Sequence, residues 1–490
     1  MSEETEPEAL EYLRRYPDVA QAVARGRFVS ARGHFEQHGK YEGRIWPTIQ
    51  PAEAPPFEGS CDVAILAGDR VFLQAWVDDR VMPAAGIGVV DMGSGARTEM
   101  LAQRHRRQDV DQHLQALNPA EFGLWAFGAL PPGARSETLA FAVTYANGAA
   151  APVTPGRVLR FSTQDMFEHF LGFYGKRETL GNITARSFAE LDGPLGPLVT
   201  EMYGRLRASR RVTLRAEFGA GAARPKLSLI CVLYGIPDFL YLLVARFAQC
   251  ARLDEMEFIF VSNSPELEEV LARDAELAAF VFGTTVRLIG LNQNCGFSHA
   301  NNVGIAEAAS DSIVVINPDV FPRSAAAVTR LVALASRPGE QRITGGKLYY
   351  ADGSVMHDGM FFDPDRKLSA LCGVPVWTVE HFRKGFADRG GDAVRAVPAV
   401  TGALMVFDRR FGQELGLFDE DFLYGHYEDA DLCLRARAAG GEVVLDPALA
   451  FWHYEGRGSV KRPEHKGSGL VNRWLFSNRW GTRLEGANDV

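Results

Sequence analysis

Three acids within four positions, Glu428, Asp429 and Asp431, open a segment in which Leu432, Leu434 and Ala438 supply apolar positions at helical spacing. Carboxylates in a first helical turn lie beside backbone N–H groups that lack intrahelical partners and beside the positive end of the helix dipole. The predicted helix gives out at Gly440-Gly441, a C-cap signal. An apolar strand over residues 442–445 then leads through Asp446-Pro447 to His453. An acid at a helix start and a histidine past a strand can converge on one cleft, as a general base and a metal ligand would. Each motif alone also fits a charged helix start and a structural histidine. The upstream half decides the weighing.

That half begins at residue 226. Residues 227–234 (LSLICVLY) form a near-continuous apolar run of strand length, the pattern of a buried parallel strand. A helical pattern over 239–249 precedes a second apolar run, 257–261, which ends on Ser262-Asn263-Ser264. A helix over 265–279, a strand over 286–291, a loop over 292–298 and a helix over 299–309 follow. A fourth strand, 313–316, ends on Asn317-Pro318-Asp319-Val320. Such alternation predicts a doubly wound α/β domain. Ligands in these sheets bind outside the carboxyl ends of the strands, where Ser262, Asn294 and Asp319 fall.

Several blocks then line up on these strand ends: Asn294-Cys295-Gly296-Phe297 with Ala300-Asn301-Asn302-Val303-Gly304-Ile305; Ile316-Asn317-Pro318-Asp319-Val320; Asp352-Gly353-Ser354 with His357 and Gly359; Thr401-Gly402-Ala403; FDEDFLYGHYEDADLCLR; and His453-Tyr454-Glu455-Gly456. In this order they make residues 226–484 resemble an inverting glycosyltransferase of family 2, with the GT-A nucleotide-diphospho-sugar fold. The nearest flavour is the rhamnosyltransferase-like and galactofuranosyltransferase-like branch, which often carries NPDV where relatives carry DxD.

The resemblance implies roles. Asp319 matches the acid that coordinates a divalent metal, Mn²⁺ or Mg²⁺, and His453 matches the histidine that completes the metal and diphosphate contacts. Asp429 matches the catalytic base and Glu428 its partner. Asn294, Gly296, Phe297, Asn301 and Asn302 match the segment along the nucleotide-diphospho-sugar donor. Thr401, Gly402 and Ala403 match the strand edge beneath the donor sugar. Tyr234, Ser262, Asn263, Asn317 and Asp431 are expected to line the same substrate cleft. An acceptor hydroxyl is a poor nucleophile, so a carboxylate must take its proton as the new bond forms. Hard divalent ions favour oxygen ligands and neutralise a leaving diphosphate. The expected function is transfer of a sugar, with inversion, to a hydroxyl of a glycan or glycoconjugate. Two departures stand out: Ser262-Asn263-Ser264 replaces the aspartate that many relatives use for the nucleobase, and the metal motif offers a single carboxylate.

Composition bounds the remainder. A chain of 490 residues has room for several domains, and 47% hydrophobic with 23% charged residues is ordinary for a globular protein. A net charge of −9 argues against nucleic acid or a polybasic membrane surface as main partner. The six cysteines are scattered without a CxxC, which suits reduced thiols. The acidic start and the lack of a spanning apolar run favour a cytoplasmic protein, with at most peripheral association at the membrane. The expected domains are a helical module over 1–47, a Pro-rich linker over 48–58, a β-sandwich-like domain over 59–163, a helical connector over 164–225 and the catalytic domain over 226–490. His34 and His38 share i,i+4 spacing, which suits metal as well as packing. Trp76 and Trp125 suit stacking on sugar as well as a core. The segment 472–484 reads as an amphipathic helix that packs on the sheet or rests on a membrane surface. Two other functions fit the sequence less well. The turn Tyr234-Gly235-Ile236-Pro237 lacks the GxGxxG of a dinucleotide enzyme. A catalytically silent glycan-binding scaffold is opposed by the presence of Asp319, Asp429 and His453 together.

Overall fold

The computed structural model describes residues 7–47, 58–116, 121–176, 183–219, 224–335, 339–372, 375–391 and 393–486. The Pro-rich stretch expected over 48–58 lies outside them except for Glu58. The chain divides into two compact units, Met1–Phe170 and Leu171–Val490.

The first unit starts with short helices, Pro7–Arg15, Pro17–Ala24 and Ala31–His34. They close on an aromatic cluster in which Tyr12 is fully buried and its ring lies 5.0 Å from Trp46 and 5.6 Å from Phe35. The Tyr12 hydroxyl reaches His34 Nδ1 at 3.1 Å, and Phe28 packs against both His34 and His38. Packing therefore accounts for both histidines. Two antiparallel-based sheets follow, one of five strands and one of four. Their inner faces share a core that includes Val71, Leu73, Ile87, Val89, Phe141 and Val143. This is a β-sandwich, built from alternating strands as the sequence pattern implies. Trp125 is 0% exposed and packs on Phe170 at 5.7 Å, so it is core and offers no face to a sugar.

The second unit is organised by an 11-stranded mixed sheet. Four strands run parallel in the order Thr285–Leu291, Met256–Ser262, Leu227–Leu233 and Ser312–Ile316. Leu404–Asp408 pairs antiparallel with the last of these and continues to Arg342–Tyr349, Glu442–His453 and Val320–Pro322. All seven residues of Met256–Ser262 are buried, because helices such as Phe239–Cys250 and Glu268–Phe282 cover the sheet. The stretch expected to be a purely helical connector ends in a strand, Val212–Phe218, which pairs antiparallel with Thr285–Leu291 at the sheet edge. Its half-buried alternation is the period of an edge strand. The strand expected over 442–445 runs on to His453, accommodated by a register shift opposite Gly346 and Lys347. The closing helix Glu464–Gly486 buries Phe476, Trp480 and Leu484 against this domain, so its apolar face is occupied by protein instead of a membrane surface. Among the described residues no helix is long and apolar enough to cross a membrane.

Candidate active site

The site grows from one short segment, Thr401-Gly402-Ala403, which leads into Leu404–Asp408. Antiparallel pairing sets Ile316 opposite Leu404, so the peptide N–H of Asn317 donates to the Ala403 carbonyl at 3.0 Å. That bond lays the Asn317-Pro318-Asp319 turn along the segment. Three successive N–H groups of the segment are each claimed. Thr401 N donates to His357 Nε2 at 3.5 Å, Gly402 N to Asp429 Oδ2 at 2.9 Å, and Ala403 N to Thr401 Oγ1 at 3.2 Å.

On one side stands Asp319, only 3% exposed. Its Oδ2 accepts from the backbone N–H groups of Arg457 at 3.2 Å and Gly458 at 2.9 Å, and its Oδ1 lies 3.4 Å from His453 Nε2. The pairing of Val320 with His453 brings the two side chains together across neighbouring strands. His453 is steadied from behind, with Nδ1 3.4 Å from Met356 Sδ. Gly458 is needed here, because a Cβ would meet the Asp319 carboxyl carbon at 2.9 Å. One carboxylate oxygen and one imidazole nitrogen converge, and no cluster of three or more His, Cys, Asp or Glu surrounds them among the described residues. Such a pair fits a hard divalent ion whose remaining positions are filled by phosphate and water oxygens.

On the other side stands Asp429, half-buried in the first turn of the helix Glu428–Ala438, with Oδ1 accepting from Ala430 N at 2.8 Å. Its neighbour Glu428 is buried, and Oε2 finds no hydrogen-bond partner among the described residues. Burial first, and the adjacent Asp429 charge second, push the Glu428 carboxyl well above the usual carboxylate range. Burial thus favours the protonated form of Glu428, and Asp429 is the acid of the pair that accepts backbone hydrogen bonds.

The turn that delivers this helix is strained. Tyr424, His426 and Tyr427 have φ of 56°, 81° and 76°, each in the left-handed region that costs a non-glycine residue roughly 1–3 kcal/mol. Asn472, fully buried on the closing helix, holds the turn in place. Its Oδ1 accepts from Leu423 N at 2.7 Å, and its Nδ2 lies within 2.7–3.1 Å of the carbonyls of Leu423, Gly425 and His426.

Asp319, His453, Asn317, Thr401, Gly402, Ala403, Asp429 and Glu428 are therefore joined by strand register and hydrogen bonds. Phe297 flanks Gly402, where a Cβ would meet its ring at 3.2 Å. Tyr234 sits beside the loop after His453, bridged to Ser459, with the Arg462 guanidinium 5.5 Å over its ring. Asn294 closes its own loop through the Gly296 N–H at 3.1 Å.

Five of the expected substrate-lining side chains have internal hydrogen-bond partners. Ser262 is fully buried and bonds both the N–H and the carbonyl of Ser264. Asn263 accepts from Cys295 N and donates to Gly296 O, so it shapes the loop that carries them. Asn301 is buried and donates to Phe297 O, and Asn302 is taken up by Phe418 and Glu420. Asp431 is 0% exposed and accepts from Arg435 at 2.7 Å, Arg479 at 2.9 Å and Trp480 at 2.8 Å. It ties the helix that carries Asp429 to the closing helix. Sequence reasoning missed two residues, Asn472 and His381, the latter 2.8 Å from His357. No spacing signal marks either, since each acts across a long stretch of chain.

Residues 225–469 match the family described as glycosyltransferase like family 2, which is half of the chain. The chain belongs to this family. Its sheet, with four parallel strands and an antiparallel strand carrying Thr401–Ala403 at its head, is the GT-A arrangement. An uncharacterised protein of Sinorhizobium fredii, y4gI, is 29% identical over 199 residues, 40% of this chain and 21% of its own length. The O-antigen biosynthesis protein RfbC of Myxococcus xanthus is 28% identical over 233 residues, 47% of this chain and 17% of its own length. The matching stretch thus spans about a fifth of those relatives. Among solved structures, GalNAc-T7 with UDP, GalNAc and Mn²⁺ is a loose likeness: 16% identity, 53% of this chain and 49% of that chain, TM-score 0.39.

Proposed function

We infer that this protein is an inverting glycosyltransferase that moves a sugar from a nucleotide-diphospho-sugar to a hydroxyl of a glycan or glycoconjugate. One observation carries the reading: the Gly402 N–H holds Asp429 while the adjacent Ala403 carbonyl holds the turn that bears Asp319. A proton acceptor and an anion-side carboxylate are thereby anchored to adjacent residues. In the mechanism, Asp429 takes the proton of the acceptor hydroxyl as its oxygen bonds the anomeric carbon and the bond to the diphosphate breaks. Glu428, held neutral, does not compete for that proton. A divalent cation, Mn²⁺ or Mg²⁺, held by Asp319 Oδ1 and His453 Nε2, would offset the charge on the leaving diphosphate. The exposed basic side chains Arg457, Lys461, Arg462 and Lys466 follow directly on the His453 strand and supply further positive charge on that side. Direct displacement without a covalent sugar–enzyme intermediate inverts the anomeric centre.

The NPDV turn supports a rhamnosyl- or galactofuranosyl-type transfer, and the similarity to an O-antigen biosynthesis protein supports a role in bacterial surface polysaccharide. The β-sandwich and helical module are proposed to be separate from the chemistry. Nucleoside-diphosphate release should be measured across UDP-, dTDP- and GDP-sugars with Mn²⁺ or Mg²⁺, with and without chelator, beside Asp429→Asn. Release from one donor, lost in the variant, supports the reading. Absence of both turnover and donor binding by calorimetry overturns it.

A further inference from the structure

His357 and His381 form a pair whose protons the geometry assigns. His357 is fully buried on the short strand Val355–His357, and its Nε2 accepts the Thr401 N–H, so that nitrogen is bare. A neutral imidazole with a bare Nε2 carries its proton on Nδ1. That Nδ1 lies 2.8 Å from His381 Nδ1, which must then be the acceptor. The His381 proton is left on Nε2, and no described group accepts it. Both rings are neutral. Burial, then the His381 and His453 charges, hold His357 well below the ordinary range. Burial, then Lys384, brings His381 down to about 4.

The surroundings say what this donor faces. His381 ends the strand Trp377–His381, which pairs with Met360–Pro364, and Met360 in turn bridges to Ala399 beside the Thr401 segment. His381 meets His357, which accepts from Thr401 N, while Asp429 accepts from the adjacent Gly402 N, so the pair and Asp429 are tied to neighbouring peptides of one segment. The next residue, Phe382, is 50% exposed and sits edge-to-face with Phe361 at 6.4 Å. A hydrogen-bond donor beside an exposed aromatic ring, Phe382, backed by Phe361, is the chemistry of a sugar subsite, the ring stacking on carbon and the N–H reading an oxygen.

We propose that His381 is a specificity-determining residue that donates its Nε2–H to a ring hydroxyl of the incoming acceptor sugar, while His357 is the positioning residue that locks this tautomer from the Thr401 N–H. The acceptor is thereby set between His381 and Asp429, both indexed to adjacent peptides of one segment. This rests on the glycosyltransferase reading above.

The first test needs no substrate. In protein labelled with ¹⁵N-histidine, proton–nitrogen correlation spectra should show His357 protonated at Nδ1 and His381 at Nε2, each assigned by its substitution. The reverse tautomers, or a charged His381 at neutral pH, overturn the proposal. The second test follows transfer to a panel of methyl hexosides and deoxyhexosides from the donor that the wild type turns over. His381→Ala should raise the KM for the accepted glycoside about tenfold, the loss of one hydrogen bond. Donor KM and hydrolysis by water should change far less than the acceptor KM, the melting temperature should fall because the buried His357 Nδ1–H loses its acceptor, and His381→Gln, which keeps an N–H at that reach, should recover most of the loss in acceptor KM. An unchanged acceptor KM overturns the proposal, as does refusal of every glycoside by a wild type that still hydrolyses donor. If no nucleotide sugar is turned over at all, the functional reading itself fails.

Discussion

Asp319 and Asp429 are held in opposite ways. Asp319 follows a relaxed strand end, and its register with His453 comes from the same sheet that forms the core. Asp429 follows a turn with three left-handed residues, held by Asn472 from a helix 49 residues beyond Leu423, by the Tyr203 hydroxyl, and by the Phe297 N–H at the Tyr424 carbonyl. Asp319 thus inherits the stability of the sheet, whereas Asp429 depends on a strained turn held by groups from distant parts of the chain. Strain beside one acid and sheet register beside the other is a division that substitutions can expose.

The largest effect should come from Asp429→Asn, with turnover down by ~10²–10⁴-fold. Donor affinity should be retained, as calorimetry beside a rate assay would show; loss of donor binding would break the contrast. Next, Asn472→Ala should leave the carbonyls of the turn unpaired, lower stability by about 2–4 kcal/mol and reduce turnover by ~10²-fold through a displaced base. Donor affinity should again change little. Gly458→Ala acts on the other side: its Cβ would press on the Asp319 carboxyl carbon at 2.9 Å. Metal-dependent donor binding should weaken about tenfold with the fold intact, in line with ~1–3 kcal/mol of overpacking. Smallest on activity is Glu428→Gln, whose signature is pH. The native Glu428 keeps a proton that the unfolded chain releases, so wild-type stability falls as pH rises above the ordinary carboxylate range. The glutamine variant removes that slope, and the gap in melting temperature should widen in its favour from pH 5 to pH 8.

The same contrast explains what the sequence made legible. The parallel strands are read easily, because Met256–Ser262 and its neighbours are buried on both faces and so are apolar throughout. Asp319, His453 and Asp429 stand at the ends of such elements, where chemistry is expected. The edge strand Val212–Phe218 is half-exposed, and its charged alternating residues hid it within a helical region. Asn302 and Asp431 lie in the same motifs as Phe297 and Asp429, and a motif does not separate side chains that line a cleft from those that hold its wall. His381 and Asn472 act through partners 24 and 49 residues away, a relation that only the folded chain displays.

Asn472 also sets an order of events during synthesis. It lies beyond the stretch 225–469 that matches the family, and the turn ahead of Asp429 has no other side chain bonded to the Gly425 and His426 carbonyls among the described residues. A chain emerging from the ribosome can assemble its parallel strands first, whereas the Asp319 carboxylate waits for His453, Arg457 and Gly458, and the turn before Asp429 waits for Asn472. Both acids are therefore set late, within the short stretch of synthesis that delivers residues 453–472 to a sheet already formed.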